Sequence, residues 1–216
     1  MRGVFITIEG IEGSGKSTQI TLLADHLKTA GRQVTLTREP GGTTIGDQIR
    51  KILLDPANKA LDPFAELLLY AASRAQHLRE VILPNLDTGR IVLCDRFSDA
   101  TLAYQGHGRG LDINMIAMLD RVVSAGLKPD LTLLLDIDSG AGLGRARGRN
   151  SSEGLHHEAR FEDEAVAFHE RVRQGYLALA KQEPGRIRVL DASGTPDEVQ
   201  REIRKIVDKI IGHIEN

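Results

Sequence analysis

Tryptophan is absent from this chain of 216 residues, and aromatic side chains of all kinds make up only 4% of it. Cysteine occurs once, at Cys94. A single cysteine excludes an internal disulfide framework and a multi-cysteine zinc site, and it points to a reducing compartment. No apolar run approaches the ~18–20 residues needed to cross a bilayer, so no membrane association is expected. The opening Met1-Arg2-Gly3-Val4-Phe5-Ile6 meets Glu9 after few apolar residues and does not read as a secretory leader, which makes the cytoplasm the expected location. An excess of positive charge is missing too. Lys+Arg 28 against Asp+Glu 30 leaves a net charge of −2, which argues against nucleic acid as a partner through bulk charge.

What remains is ordinary globular composition, 41% hydrophobic and 27% charged, on a chain long enough to bury a sizeable core as one domain, residues 1–216. Of the 28 basic residues 20 are arginine, whose planar fork suits phosphate or carboxylate, although such a bias also arises without function.

Five short apolar runs read as strands: Val4–Ile8, Val34–Thr37, Ile91–Cys94, Leu131–Ile137 and Ile187–Leu190. Their near-continuous Val, Ile and Leu predict a five-stranded parallel sheet covered on both faces, a three-layer α/β/α architecture. Between them lie helical patterns. Ser17–Ala30 carries a stripe of Ile20, Leu23 and Leu27; Asp62-Pro63 opens a long apolar helix through about Ile82; Asp112–Ala125 repeats the pattern; Thr195-Pro196-Asp197-Glu198 is a capping box for the last helix. Ser139–Glu162, rich in Gly, Arg, Ser and His, is expected to be irregular, and its segment of about 140–162 reads as a small mobile lid.

Chemistry enters at Gly10-Ile11-Glu12-Gly13-Ser14-Gly15-Lys16-Ser17, a full match to G-x-x-x-x-G-K-[ST] placed between the first strand and the first helix. Glycines there allow backbone N–H groups and a helix N-terminus to wrap an anion. Lys16 then reaches the β- and γ-phosphates, and the Ser17 hydroxyl can ligate Mg²⁺. The motif alone leaves kinase, GTPase, motor and sulfotransferase open. No N-K-x-D base-reading motif occurs, which counts against a GTPase. Asp95, at the carboxyl end of the third strand, is placed to face Lys16 and Ser17 and to hold the Mg²⁺ shell. Glu12 sits inside the cradle; physics alone leaves it readable either as functional or as a bland loop position.

These segments, with Thr18, Arg38-Glu39-Pro40-Gly41-Gly42-Thr43, Asp95-Arg96-Phe97 and Tyr104-Gln105-Gly106, resemble in content and order those of bacterial thymidylate kinases, P-loop nucleoside monophosphate kinases. The resemblance runs from residue 4 to the last helix. It implies that the γ-phosphate of ATP passes to dTMP with Mg²⁺, in a homodimer. It implies that Gly10 to Thr18 bind ATP, that Arg38 and Arg96 hold the acceptor phosphate, and that Glu12 contacts the acceptor's 3′-hydroxyl. It further implies that Tyr70 stacks on thymine and Arg74, four residues on, bonds a base carbonyl, although Tyr70 by itself reads as a core tyrosine. Thr101 resembles the residue that reads the thymine edge, while Tyr104 and Gln105 form the wall against the sugar's 2′ position. Members with no arginine in the P-loop place the catalytic arginine in the lid, which makes Arg149 the leading choice, then Arg147, with Arg145 expected on a solvated face. The aspartate often found before Arg160 is replaced by Ala159. Two rivals stand beside this reading: a kinase for dUMP, CMP or UMP, and a non-enzymatic NTP-dependent switch, which would need no acceptor pocket. His156-His157 reads as solvated loop, Cys94 as a small buried hydrophobe, and Gly106-His107-Gly108-Arg109-Gly110 as a mobile loop without chemistry.

Overall fold

The apolar run FITIE is buried along its whole length because it forms the central strand, β1 (Phe5–Glu9), of a parallel sheet. Around it lie β2 (Val34–Arg38), β3 (Ile91–Asp95), β4 (Leu131–Asp136) and β5 (Ile187–Asp191), in the order β2-β3-β1-β4-β5. This is the computed structural model of the chain, and it describes residues 2–153 and 160–214, with the side chains of 149–153 and 213–214 outside that description. β1 pairs with β3 through Ile6 and Leu93 and with β4 through Ile8 and Leu133. The three inner strands are covered on both faces, as their continuous apolar runs require. The edge strands differ from that expectation: they are only partly covered, leaving Leu36 and Val189 exposed.

Nine helices accompany the strands among the described residues: α1 (Lys16–Thr29), α2 (Thr44–Leu54), α3 (Pro63–His77), α4 (Leu83–Asp87), α5 (Ser98–Thr101), α6 (Ile113–Ser124), α7 (Ser139–Glu153), α8 (Val166–Gln182) and α9 (Pro196–Ile214). Right-handed crossovers put α1 on one face of the sheet, because β1 to β2 steps in one direction, and the β2–β3, β3–β4 and β4–β5 connections on the other. The last helix, α9, returns to pack on α1. Local chemistry sets the helix starts. Asp62 caps α3 by accepting from Phe64 and Ala65 N–H, Asp112 caps α6, and Thr195 and Glu198 form the reciprocal capping box of α9.

The long apolar helix expected through Ile82 does not run straight. A π-helical turn, Leu78–Ile82, joins α3 to α4 just before Pro84, which lacks an N–H and would clash with the carbonyl four residues back. A second π-turn, Leu102–Gly108, continues α5. The stretch Gly106–Gly110 is therefore mostly helical and not the loop expected. Gly108 lies against Phe168 and Gly175 against the His107 ring, so α8 packs too closely there for larger residues.

Ser139–Glu162 also departs from expectation, since α7 makes Ser139–Glu153 helical. Asp138 caps it by accepting from Gly140 and Ala141 N–H, and Leu143 and Ala146 are buried. Arginine and glycine mask the pattern because few of the buried positions carry large apolar side chains. Residues 154–159, including His156 and His157, lie outside the described residues.

Candidate active site

The chain leaves β1 leftward to β2, and later crosses from β3 rightward to β4, so the loops after β1 and β3 diverge and open a crevice at their carboxyl ends. Gly10 to Ser17 fill that crevice. Gly15 precedes α1 in a left-handed conformation with no side-chain cap, which leaves the first N–H groups of α1 for an anion. Gly13 has φ 71°, and a Cβ on it would meet the Gly142 carbonyl 1.9 Å away, so the start of α7 rests directly on the loop. Lys16 is buried at the loop's centre, its Nζ donating to the carbonyls of Ile11 (2.8 Å) and Gly10 (3.1 Å). Burial, then the nearby Arg96 charge, pulls its pKa down to about 8.

Arg96 organises the next layer. Its φ of 70° costs a non-glycine residue roughly 1–2 kcal/mol. Four hydrogen bonds offset that cost: to Gly10 O (2.8 Å), Tyr176 Oη (3.0 Å), Glu12 Oε1 (3.0 Å) and Tyr104 Oη (3.0 Å). Glu12 Oε1 also accepts from Tyr104 Oη at 2.6 Å, and His169 Nδ1 lies 3.1 Å from Oε2. Burial would push the Glu12 carboxyl up. The His169 contact and the Arg96 and Lys16 charges outweigh it and hold the group well below the usual carboxylate range. Behind this layer Glu9, fully buried, accepts from Phe97 N (2.7 Å) and Tyr176 Oη (2.7 Å); burial pushes its pKa up to about 7.

A cavity of about 220 Å³ opens from the loop, lined by Glu12, Gly13, Lys16, Ser17, Arg38, Tyr70, Arg74, Asp95, Arg96, Thr101, Tyr104 and Gln105. These come from the loop, β2, α3, β3 and α5 with its π-turn, so tertiary folding collects them. Arg38 is exposed, with Asp47 3.4 Å away. Arg74 is 3% exposed and held by Glu39 (2.8 Å), Thr101 Oγ1 (2.9 Å) and Asp120 (3.2 Å), which spends three of its five N–H groups. Its guanidinium also lies over the Phe97 ring. Gln105 donates to the fully buried Glu66, which also receives Arg109 and Arg160. Arg160 is thus an anchor for the end of the lid segment, bonding Glu66 and the Leu53 carbonyl without any aspartate before it.

Of the α7 arginines, Arg145 is not simply solvated: it donates to the carbonyls of Ala192 (3.1 Å) and Ser193 (3.2 Å), tying α7 to the loop after β5. Arg147 donates to the Glu162 carbonyl. The backbone of Arg149 lies in α7 and its side chain is outside the described residues. Thr18 is exposed on the first turn of α1, beside Ser17.

The residues fit a hard divalent cation. Asp95 Oδ2 accepts from Ser17 Oγ at 3.4 Å, while Oδ1 is buried with no hydrogen-bond partner among the described residues, a demand that a cation or its waters would meet. Described residues hold no group of three or more His, Cys, Asp or Glu arranged for a metal, so such a cation would share its shell with nucleotide phosphates and water. Cys94 is buried within β3, its thiol pushed up by burial and donating to the Arg96 carbonyl.

Sequence reasoning missed Glu39, Arg50, Phe161 and Glu162 in the cavity wall, and Tyr176 and His169 behind it. The last two lie on α8, whose stripe of Phe168, Val172, Tyr176 and Leu179 was readable at helical spacing, but nothing in the pattern links it to a loop some 160 residues earlier.

Comparison with known proteins agrees with this geometry. Residues 8–203 match the family model described as thymidylate kinase. The chain is 62% identical over 195 residues to the thymidylate kinase of Syntrophotalea carbinolica, covering 90% of each, and 59% identical over 204 residues to that of Trichlorobacter lovleyi, covering 94% of this chain and 96% of the relative. A crystal structure of thymidylate kinase from Ehrlichia chaffeensis superposes with a TM-score of 0.76 at 35% identity, covering 96% of this chain and 99% of that one. The phosphate loop, the parallel sheet that presents it and these relatives together show that the chain belongs to the thymidylate kinase family.

Proposed function

We infer that this chain transfers the γ-phosphate of ATP to dTMP, giving dTDP and ADP and so supplying dTTP synthesis. One observation carries the reading: the cavity lined by Lys16 and Ser17 of the phosphate loop is lined as well by Arg38, Tyr70, Arg74, Arg96 and Thr101. A switch ATPase has no use for those acceptor-side residues.

The acceptor phosphate is an ionised nucleophile and needs no general base, so positioning and charge stabilisation do the work. Lys16 and the N–H groups of Gly10 to Thr18 hold the donor phosphates. Arg38 holds the acceptor phosphate by a bidentate contact, and Arg96, whose four terminal N–H groups are committed within the protein, adds its charge and its Nε–H. Glu12 accepts from the sugar's 3′-hydroxyl, Tyr104 and Gln105 crowd the 2′ position, Tyr70 stacks on the base, and the remaining N–H groups of Arg74 beside Thr101 read the base edge. Ser17 and Asp95 would hold Mg²⁺, which when bound neutralises charge between the donor phosphates. Arg149, on the lid segment of about 140–162 within one domain, supplies the transition-state arginine.

Phe64 and Leu68 on α3 and Ile113, Met118 and Val122 on the adjacent α6 are exposed, and this apolar face supports a homodimer. No helix among the described residues is long and apolar enough to cross a membrane, and the lone buried thiol fits a reducing compartment, in keeping with a cytoplasmic place. A coupled ADP-release assay over dTMP, dUMP, CMP and UMP tests the assignment. dTMP should be preferred; slow ATP loss that no monophosphate stimulates would refute it.

A further inference from the structure

The side chain of His169 on α8 is 1% exposed, and both of its ring nitrogens face groups that can only accept. Nε2 lies 3.0 Å from the Phe161 carbonyl oxygen, so it donates there. Nδ1 lies 3.1 Å from Glu12 Oε2, a carboxylate kept ionised by Arg96 and Tyr104. With Nε2 committed to the Phe161 carbonyl, Nδ1 is the end of the ring that faces Glu12. Glu12 is thus bonded at Oε1 and approached by the His169 ring at Oε2. Oε1 is saturated by Arg96 and Tyr104, whereas Oε2 is buried and has no hydrogen bond of good geometry filling its lone pairs. It is the oxygen left to receive an incoming hydroxyl. The other end of the ring is bound to Phe161, which follows Arg160 at the close of the lid segment.

We propose that His169 is a positioning residue that aims Glu12 Oε2 at the acceptor's sugar hydroxyl, and that it makes that aim depend on the lid segment through the Phe161 carbonyl. The proposal rests on the reading of Glu12 as the 3′-hydroxyl contact. The ring does not line the cavity and reaches it only through Glu12, so its effect falls on acceptor binding and selectivity.

Steady-state kinetics with dTMP and with 3′-deoxythymidine monophosphate test it in the wild type, His169→Phe and His169→Gln. His169→Phe keeps the ring's packing on Phe168 and removes both polar ends. The wild type should favour dTMP in kcat/KM by about ten- to a hundredfold, the worth of a charge-assisted hydrogen bond. In His169→Phe that preference should collapse toward unity, with KM for dTMP raised about tenfold and kcat changed less than about threefold. His169→Gln, whose amide donates to one partner at a time, should retain part of the preference, and it serves alone where the Phe variant fails to fold. In a Glu12→Gln background, His169→Gln should change the ratio no further. If both substrates decline together and the ratio stays at its wild-type value, His169 only supports the fold and the proposal is overturned. A wild-type ratio near unity would instead overturn the role given to Glu12, and this proposal with it.

Discussion

Lys16 is buried, wedged against two backbone carbonyls and close to Arg96, and its pKa is pushed down to about 8 by desolvation first and by Arg96 second. The charges of Asp95, Glu12 and Glu9 oppose the shift without cancelling it. A triphosphate in the loop adds several negative charges beside Nζ and should return its pKa at least to the ordinary lysine value of about 10.4. Binding of ATP must then be coupled to proton uptake, by about half a proton at pH 8 and about 0.9 at pH 9. The same linkage makes the affinity fall roughly eightfold between pH 7.5 and 9, or about 1.2 kcal/mol. ATP is already fully ionised in this window, and Glu9, at about 7, titrates below most of it. Calorimetric titration of ATP with Mg²⁺, without acceptor, in two buffers of different ionisation enthalpy measures the uptake directly. Lys16→Met should bind more weakly and take up none. Zero uptake by the wild type at pH 8.5, or equal uptake by Lys16→Met, would refute the reasoning.

Other perturbations test other parts of the site. Glu9 has a folded pKa of about 7 against 4.5, so the stability tied to its protonated form is complete below pH 4.5 and lost as pH rises through 7. Glu9→Gln should remove about 2.5 kcal/mol of decline between pH 5 and 8, read as the wild-type-minus-variant difference in chemical denaturation. Tyr70→Ala should weaken dTMP binding by roughly 1–3 kcal/mol while Tyr70→Phe stays near wild type; equal damage in calorimetry would exclude stacking. Arg149→Ala should lower kcat far more than it changes KM for ATP, and Arg149→Lys should not restore it, because phosphoryl-transfer arginines act through the fork on charge that develops in transit. Arg145→Ala, which removes two partly exposed bonds to carbonyls, should cost less than about 1 kcal/mol of stability and leave kcat within about threefold, and near-normal kcat in Arg149→Ala would place the transition-state arginine elsewhere.

The amino-acid order by itself determined the sheet and the phosphate loop, because those signals are local. A central parallel strand must be apolar throughout, a loop that wraps phosphate needs glycine at fixed spacing, and a cap lies next to the turn it closes. Thus FITIE, Gly10 to Ser17, Asp62 and Thr195 each state their structure within a few residues. Residues such as Arg38, Tyr70 and Arg96 became legible through the family's order of segments, since each alone reads as surface or core.

Tertiary structure decided what two distant segments do to each other. α7 rests on the phosphate loop at a glycine–glycine contact and buries Leu143 and Ala146, support that its Arg- and Gly-rich composition hides. Arg160 is an anchor because α3 brings it the buried Glu66. Arg74 is aimed by Glu39 and Asp120, and Glu12 by Arg96, Tyr104 and His169, from four separate parts of the chain. A buried charge is stable only where partners compensate its desolvation, and spacing along the chain carries no record of which partners folding will supply.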